Sequence, residues 1–463
     1  MQNIFYETAS LDQRCYHDFH LSEDILMEHA ASGIADFIKQ NFSKNSRVLI
    51  SCGASNNGAD GMAAARMLDK DYQVFVHLFK QPKSDMAKLQ FKRLESLGVL
   101  FTKQICEADV VVDAIIGTGL KNPLNSETAL HVRALNELKG VKIACDVPTG
   151  LRVDGKCSED VFKAHHTLSM GALKESFFSD SAKDAVGKIS VIDLGISRKV
   201  YETLSLTKLL ELSDFKPPIR DMQNTHKGNF GHLSVLVGEK QGAGVFCAKA
   251  AFRFGAALVT LVASREIAVP YELMIGREIP AKTTAIALGM GLGISFDTDK
   301  LNTLLNHNLP LLLDADIFYH KMMPALLQRE NIVLTPHPKE FVFLLHVSGI
   351  ADITVDKLQS NRFFYARAFA KKFKNAVLVL KGANVLIAQD DKLFVNPHGT
   401  NVLAKGGSGD VLSGLIASLL AQGYTPLQAA INGSLAHVKL ALGYDGSSFS
   451  LSPEDLIGGI KYL

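Results

Sequence analysis

AKGGSGDVLSG, residues 404–414, is a run of small residues that opens onto an apolar helical face continuing through Val411, Leu412, Leu415, Ile416 and Leu419. A glycine-rich turn at a helix N-terminus leaves backbone N–H groups unpaired, and the helix dipole adds to their attraction for an anion, so a phosphoryl group fits there. Asp410 then stands beside that group, where a carboxylate can take the proton of a hydroxyl as it attacks phosphorus. The plainer alternative is a glycine turn with Asp410 as a helix cap, and GxGD alone does not separate the two.

Phosphate chemistry also needs a nucleotide pocket and a substrate pocket. Outward from this run, strand-like segments at 232–237, 257–262, 284–287, 311–313, 332–334 and 376–380 alternate with helical stretches, and 385–389 with 393–396 reads as a hairpin turned at Asp390-Asp391. KGANV (Lys381, Gly382, Ala383, Asn384, Val385) follows a buried strand, as a loop lying along a nucleotide would. GMGLG at 289–293 and TPHPKE at 335–340 also follow apolar strands, and a parallel sheet puts such loops at one carboxyl edge. Singly, GMGLG is an ordinary tight turn and His337 an ordinary structural histidine. Four such loops at one edge argue for a site.

The N-terminal half repeats the rhythm. Residues 21–40 predict an amphipathic helix capped by Ser22, with Glu23 and Asp24 in its first turn. Strands at 47–52, 73–79, 108–116, 141–145 and 188–194, with helices at 84–97 and 127–138, predict a mainly parallel, doubly wound sheet. The prolines of KPPIRDMQNTHKG mark a composition change, which divides the chain into domains 1–205 and 206–463. Three loops carry the polar residues. ASNNGADG sets Asn56, Asn57, Gly58, Ala59 and Asp60 at a helix N-terminus; GTGLKNP supplies Gly117, Thr118, Gly119, Leu120, Lys121, Asn122 and Pro123; DVPTG begins at Asp146. By themselves they are better explained as three plain strand-to-helix turns of an ordinary doubly wound domain. The oxygen-bearing side chains Asn57, Asp113 and Thr149 come from adjacent strand ends, and one carboxylate among neutral oxygens suits a monovalent cation better than zinc.

Composition excludes several classes. The 463 residues exceed one ordinary domain, 47% are apolar, and the net charge is only +2, with no basic stripe for nucleic acid. The six cysteines are scattered singly, without the close pairs of zinc or redox motifs. The start MQNIFYETASLDQRC lacks a signal-peptide pattern, and no apolar run approaches the roughly 18–20 residues that span a bilayer. The expectation is a cytoplasmic protein acting on small molecules, with neither nucleic acid nor membrane as partner, and a homo-oligomer.

The order KGNFGHLSVLVG, QGAG, GMGLG, TPHPKE, KGAN and AKGGSGD resembles the dehydratase half of the bifunctional NAD(P)H-hydrate repair enzymes, over nearly all of 206–463. LMEHA, NNGADG, VVDAIIGTG and DVPTG, in that order, resemble the epimerase half of the same family. The resemblance implies two three-layer α/β/α domains, an N-terminal Rossmann-like one and a C-terminal ribokinase-like one. It implies that Ala243, Gly291, His337 and Asp410 line the hydrated nucleotide in the second domain, with Asp410 as base. Lys381, Gly382, Ala383, Asn384, Val385 and Gly409 would contact the adenine nucleotide, ADP or ATP, which arrives with Mg2+. In the first domain, residues 56–60, residues 117–123 and Asp146 would contact the hydrate, Asn57, Asp113 and Thr149 would ligate K+, and Asp146 is the acid/base candidate. The sequence departs from the family's usual patterns at His29, Ala59, Thr149, Met290, Lys339, Asn384, Val385 and Ser408. At Ala59, where glycine is usual, the added methyl is expected to restrict φ or crowd a phosphate.

The two halves imply one task. Hydration at C6 of the reduced nicotinamide ring makes a stereocentre, and a chiral dehydratase acts on one epimer only. The resemblance therefore implies that the first domain interconverts the R and S hydrates (NADHX and NADPHX), while the second phosphorylates the S form from ADP and expels phosphate to regenerate NADH or NADPH. A small-molecule kinase acting on a vitamin or sugar, with an accessory nucleotide-binding domain, is the alternative. A nucleotide sensor without turnover is a third.

Overall fold

The computed structural model describes residues 1–293, 296, 301–302 and 308–463. It divides into two compact units, residues 3–205 and residues 206–463 together with residues 1–2.

In the first unit the strands run Phe101–Thr102, Gln73–Leu78, Arg47–Cys52, Val110–Ala114, Val141–Cys145, His166–Met170 and Lys188–Ile192 across the sheet, and every pair is parallel. Alternate residues feed two cores. Val48, Ile50, Cys52, Val110, Val112 and Ala114 pack with the helices Glu23–Asn41, Asn56–Leu68 and Asp85–Leu97, whereas Leu49 and Val111 pack with Val132 and Leu135 of Ser126–Glu137. Each fully buried Val or Leu contributes about 1.5–3 kcal/mol, so both faces must be covered and a three-layer α/β/α arrangement results. Ser22, Ser84 and Asn125 cap their helices, each side-chain oxygen accepting an amide hydrogen from the first turn. The expected strands and helices all form, with ends shifted by one or two residues. The strand His166–Met170, HTLSM, is an addition, because its polar residues hide its buried centre.

The second unit orders its strands Met274–Gly276, Leu258–Ala263, His232–Val237, Ala285–Leu288, Leu311–Leu313, Ile332–Leu334 and Ala376–Leu380, all parallel. The hairpin Val385–Gln389 and Lys392–Asn396 then continues antiparallel, turned at Asp390, whose φ of 52° suits that turn. Leu233, Val235, Leu261, Ala287, Leu312 and Val377 share one core with the helices Gln241–Arg253, Ser408–Ala421 and Pro426–Leu442. Phe341 and Phe369, from the helices Pro338–Val347 and Arg362–Lys372, meet at 5.5 Å between ring centroids.

Among the parallel strands named, each order reverses once. In the first unit this happens between Arg47–Cys52 and Val110–Ala114, in the second between His232–Val237 and Ala285–Leu288. A crevice opens outside the carboxyl ends of the strands at such a point. The cysteines are free thiols, and among the described residues no helix is long and apolar enough to cross a membrane.

Candidate active sites

In the first unit a cavity of about 450 Å³ lies at the reversal point, lined among others by Ser55, Asn56, Asn57, Asp60, Gly117, Thr118, Gly119 and Asp146. The helix Asn56–Leu68 begins there without a side-chain cap, so its first amides are available to an anion. Asn57 is buried, and both its Oδ1 and its Nδ2 lack a hydrogen-bond partner. A β-carbon on Gly117 would stand 3.1 Å from Asn57 Oδ1 and 3.3 Å from Asp146 Oδ2, so the amide and the carboxylate converge on this glycine.

Beneath them, fully buried Asp113 accepts hydrogen bonds from the Thr149 amide (2.7 Å), the Thr149 hydroxyl (2.7 Å) and the Ile115 amide (3.1 Å). Burial pushes the Asp113 carboxyl up to about 6 against those hydrogen bonds. Asp146 has a φ of 64°, a left-handed conformation of the kind that collects at functional sites. Its Oδ1 accepts from Lys174 Nζ (2.6 Å) and the Met170 amide (3.0 Å), which leaves Oδ2 toward the cavity.

Not every expected residue faces this cavity. Ala59 is fully buried, and its methyl packs among Met27, Val48 and Met62 in the core. Its φ is not positive and it sits inside a helix away from the cavity lining, so the methyl does not strain the backbone and packs in the core, contrary to the expectation from sequence. Gly58 packs against the Gly53 carbonyl, which a β-carbon would meet at 2.1 Å. Lys121, Asn122 and Pro123 are exposed, Leu120 is half-buried, and none of the four lines the cavity.

In the second unit the helix Ser408–Ala421 starts from Gly407, whose φ of 88° requires glycine. Asp410 lies in its first turn. Lys381, at the end of Ala376–Leu380, donates to Asp314 Oδ1 (2.9 Å), while the Ser413 hydroxyl donates to Asp314 Oδ2 (2.7 Å). A β-carbon on Gly409 would stand 3.6 Å from Lys381 Nζ, so the glycine turn and the ammonium are neighbours. Burial first, then the negative charges of Asp314 and Asp316, raise the Asp410 carboxyl to about 6, with Lys381 pulling the other way. A carboxylate in that range is a competent base near neutral pH.

The remaining loops assemble around this group. The Lys381 amide donates to the Pro336 carbonyl (2.9 Å), and a β-carbon on Gly291 would lie 3.2 Å from that of Ala243, so these two face each other at the reversal point. His337 caps Pro338–Val347: its Nδ1 accepts from the Lys339 and Glu340 amides, and its Nε2 lies 3.1 Å from Glu340 Oε1. Burial pushes Glu340 up to about 7 and His337 down. Asn384 and Val385 are buried, Val385 within the core, whereas Gly382 and Ala383 are exposed. Arg362 holds the loop from behind through the Leu380 and Lys381 carbonyls. Ser408 Oγ pairs at 3.0 Å with buried His437, whose imidazole burial pushes down to about 4.

Sequence reading did not single out Asp314, Asp316, Ser413 and His437 here, nor Asp12, Lys174 and Tyr201 in the first unit. For Asp314 a signal existed. DAD directly follows the apolar strand Leu311–Leu313, at the same sheet edge as the other loops.

The comparisons with known proteins divide the chain in the same way. A family model for the NAD(P)H-hydrate dehydratase matches residues 233–456, and one for the YjeF-related protein N-terminus matches residues 23–176. The bifunctional NAD(P)H-hydrate repair enzyme Nnr of Helicobacter pylori is 43% identical over 475 residues, covering 100% of either chain. Its namesake from Coxiella burnetii is 31% identical, covering 96% of this chain and 95% of its own. A solved ADP/ATP-dependent NAD(P)H-hydrate dehydratase from Bacillus subtilis, co-crystallised with ATP/Mg2+, covers 54% of this chain and 94% of its own at 27% identity, with a TM-score of 0.46. With one site in each unit and a likeness that runs along the whole chain, the protein belongs to the family of bifunctional NAD(P)H-hydrate repair enzymes.

Proposed function

We propose that residues 3–205 interconvert the R and S hydrates of NADH and NADPH, and that residues 206–463 dehydrate the S form at the expense of ADP. The observation that carries this reading is the meeting of Lys381, Gly409 and Asp410 at one helix N-terminus: an ammonium and free amides for phosphate beside a carboxylate base. Asp410 takes the proton of the C6 hydroxyl as its oxygen attacks the terminal phosphorus of the nucleotide. Hydroxide, a poor leaving group, thereby becomes phosphate, a good one. Magnesium, bound with the nucleotide, would screen the negative charge of its phosphates. Asp146 Oδ2 and Asn57 position the hydrate in the first unit.

The test uses a mixture of R and S hydrates with protein, ADP and magnesium, followed by the near-ultraviolet absorbance of reduced nicotinamide. Complete recovery is expected. A plateau at the S fraction would remove the epimerase from the reading, and a stable phosphorylated product would replace the dehydratase by a small-molecule kinase. Repeating the assay with ATP establishes the donor.

Two further outcomes follow. Because Asp410 must be ionised to act and burial raises it to about 6, kcat/KM for dehydration should fall tenfold per pH unit below about 6 and level off above it. A profile flat down to pH 5 would remove Asp410 as base. The second concerns potassium. Asn57's unpartnered amide, the Thr149 hydroxyl and the single carboxylate of Asp113 make a donor set that fits a hard monovalent cation. Replacing potassium by tetramethylammonium should slow R-to-S conversion and leave S dehydration unchanged, and Asn57→Ala should abolish that dependence. Indifference of the wild type to the exchange would refute the ion's role.

A further inference from the structure

Four carboxyl groups line the cavity of the first unit; Glu23 accepts from the Asn56 amide nitrogen, and the other three are each held differently. Asp146 gives one oxygen to the Lys174 ammonium and the Met170 amide, so it is committed to a fixed cation. Asp60 is buried at the start of Asn56–Leu68 with no cation against it among the described residues, and burial, with the negative charges of Asp146, Asp12 and Glu23, pushes its carboxyl well above the ordinary range. Asp12 differs from both. It projects from the helix Ala9–Asp18 into the cavity, and its Oδ1 accepts a single hydrogen bond, 2.8 Å, from the Tyr201 hydroxyl.

We propose that Asp12, positioned by Tyr201, is the group that exchanges a proton with the C6 hydroxyl during epimerisation, while Asp146 with Lys174 anchors the nucleotide. This rests on the epimerase reading of the first unit. Neutral Asp12 donates its proton to the C6 hydroxyl, the C6–O bond breaks with the electron pair leaving on water, and the N1 lone pair forms the C6=N1 bond. Water then adds to the opposite face of C6, the N1 pair is restored, and Asp12 takes back a proton. Atoms and charge balance, and neither oxidant nor reductant is needed.

The surroundings suit a group that gives and recovers a proton in turn. Burial raises the Asp12 carboxyl, the negative charges of Asp146 and Glu7 raise it further, and the Tyr201 hydroxyl with the charge of Lys174 lowers it. Tyr16, Glu23 and Asp60 share the same cavity wall. Tyr201 is itself buried and pushed above its usual range, so it remains a phenol and a donor throughout. It comes from the short helix Arg198–Tyr201, and its role is to position Asp12 rather than to meet the substrate.

The test supplies pure R hydrate to the full chain with ADP and magnesium, so that recovery of reduced nicotinamide is limited by epimerisation after subtraction of the uncatalysed rate. Pure S hydrate, run in parallel, reports the second unit alone. Asp12→Asn should lower kcat on the R form by about a hundredfold or more with KM little changed, and leave the S-form rate intact. Tyr201→Phe removes a hydrogen bond to the ionised carboxylate and so favours the protonated, donating form, and the alkaline limb of the R-form pH profile should move to higher pH. The two arms separate the possible failures. A wild-type chain inert on the R form would remove the epimerase reading itself. An active wild type with undiminished Asp12→Asn, or an alkaline limb unmoved by Tyr201→Phe, would overturn the role of Asp12 alone; the second variant decides if the first does not fold.

Discussion

Asp410→Asn should lower dehydration of the S hydrate by roughly 10²–10⁴-fold while R-to-S conversion proceeds at the wild-type rate. The substitution is isosteric and removes the one property the mechanism needs, since an amide cannot take the hydroxyl proton. It should not damage the fold. Asp410 is partly buried near Asp314 and Asp316, which is why its carboxyl rises to about 6, and a neutral amide relieves that repulsion. The melting temperature is therefore expected to match or exceed that of the wild type. Assaying the R and S forms separately gives both rates from one preparation. Equal loss of both would mean that the reactions share a site, against the assignment of one site to each unit.

Lys381→Met should combine the largest loss of stability with loss of nucleotide-dependent activity. Asp314 is 2% exposed, and its carboxylate is held by the Lys381 ammonium and the Ser413 hydroxyl. Removing the cation leaves that charge buried with one neutral donor, and breaking such a pair from one side costs about 3–5 kcal/mol. Urea unfolding of the full chain measures this. The double variant Lys381→Met with Asp314→Asn should regain most of the stability, because both charges are then absent, and regain none of the dehydration, because the phosphate-facing ammonium is still missing. If the single variant unfolds like the wild type, Lys381 is not the counter-charge of Asp314. If the double variant dehydrates, Lys381 is not needed for phosphate.

The legible parts of the molecule were those written in short spans. Ser22, expected as a cap, accepts an amide hydrogen three residues on, and Ser84 and Asn125, not singled out beforehand, follow the same local rule. The parallel strands announce themselves as apolar runs because both faces are covered, and HTLSM escaped notice because Thr167 and Ser169 satisfy their hydroxyls internally, on the Val186 and Ala172 carbonyls. The loops GMGLG, TPHPKE, KGAN and GGSGD were each visible, and the sheet's parallel order gave reason to expect them at one edge.

What lay beyond reading were pairings between residues far apart in the chain. Tyr201 reaches Asp12 across 189 positions, Ser413 reaches Asp314 across 99, and Lys381 reaches Asp314 across 67. The same limit governed Ala59, whose methyl looked like an obstacle to phosphate until the helix turned it into the core. By itself the sequence determined the elements, their alternation and the loops rich in glycine and polar residues, since these follow from periodicity, capping and backbone preference within a few residues. Only the tertiary structure decided which carboxylates meet a cation and which are buried without one: burial and Coulomb interaction depend on distance in space, not on separation along the chain.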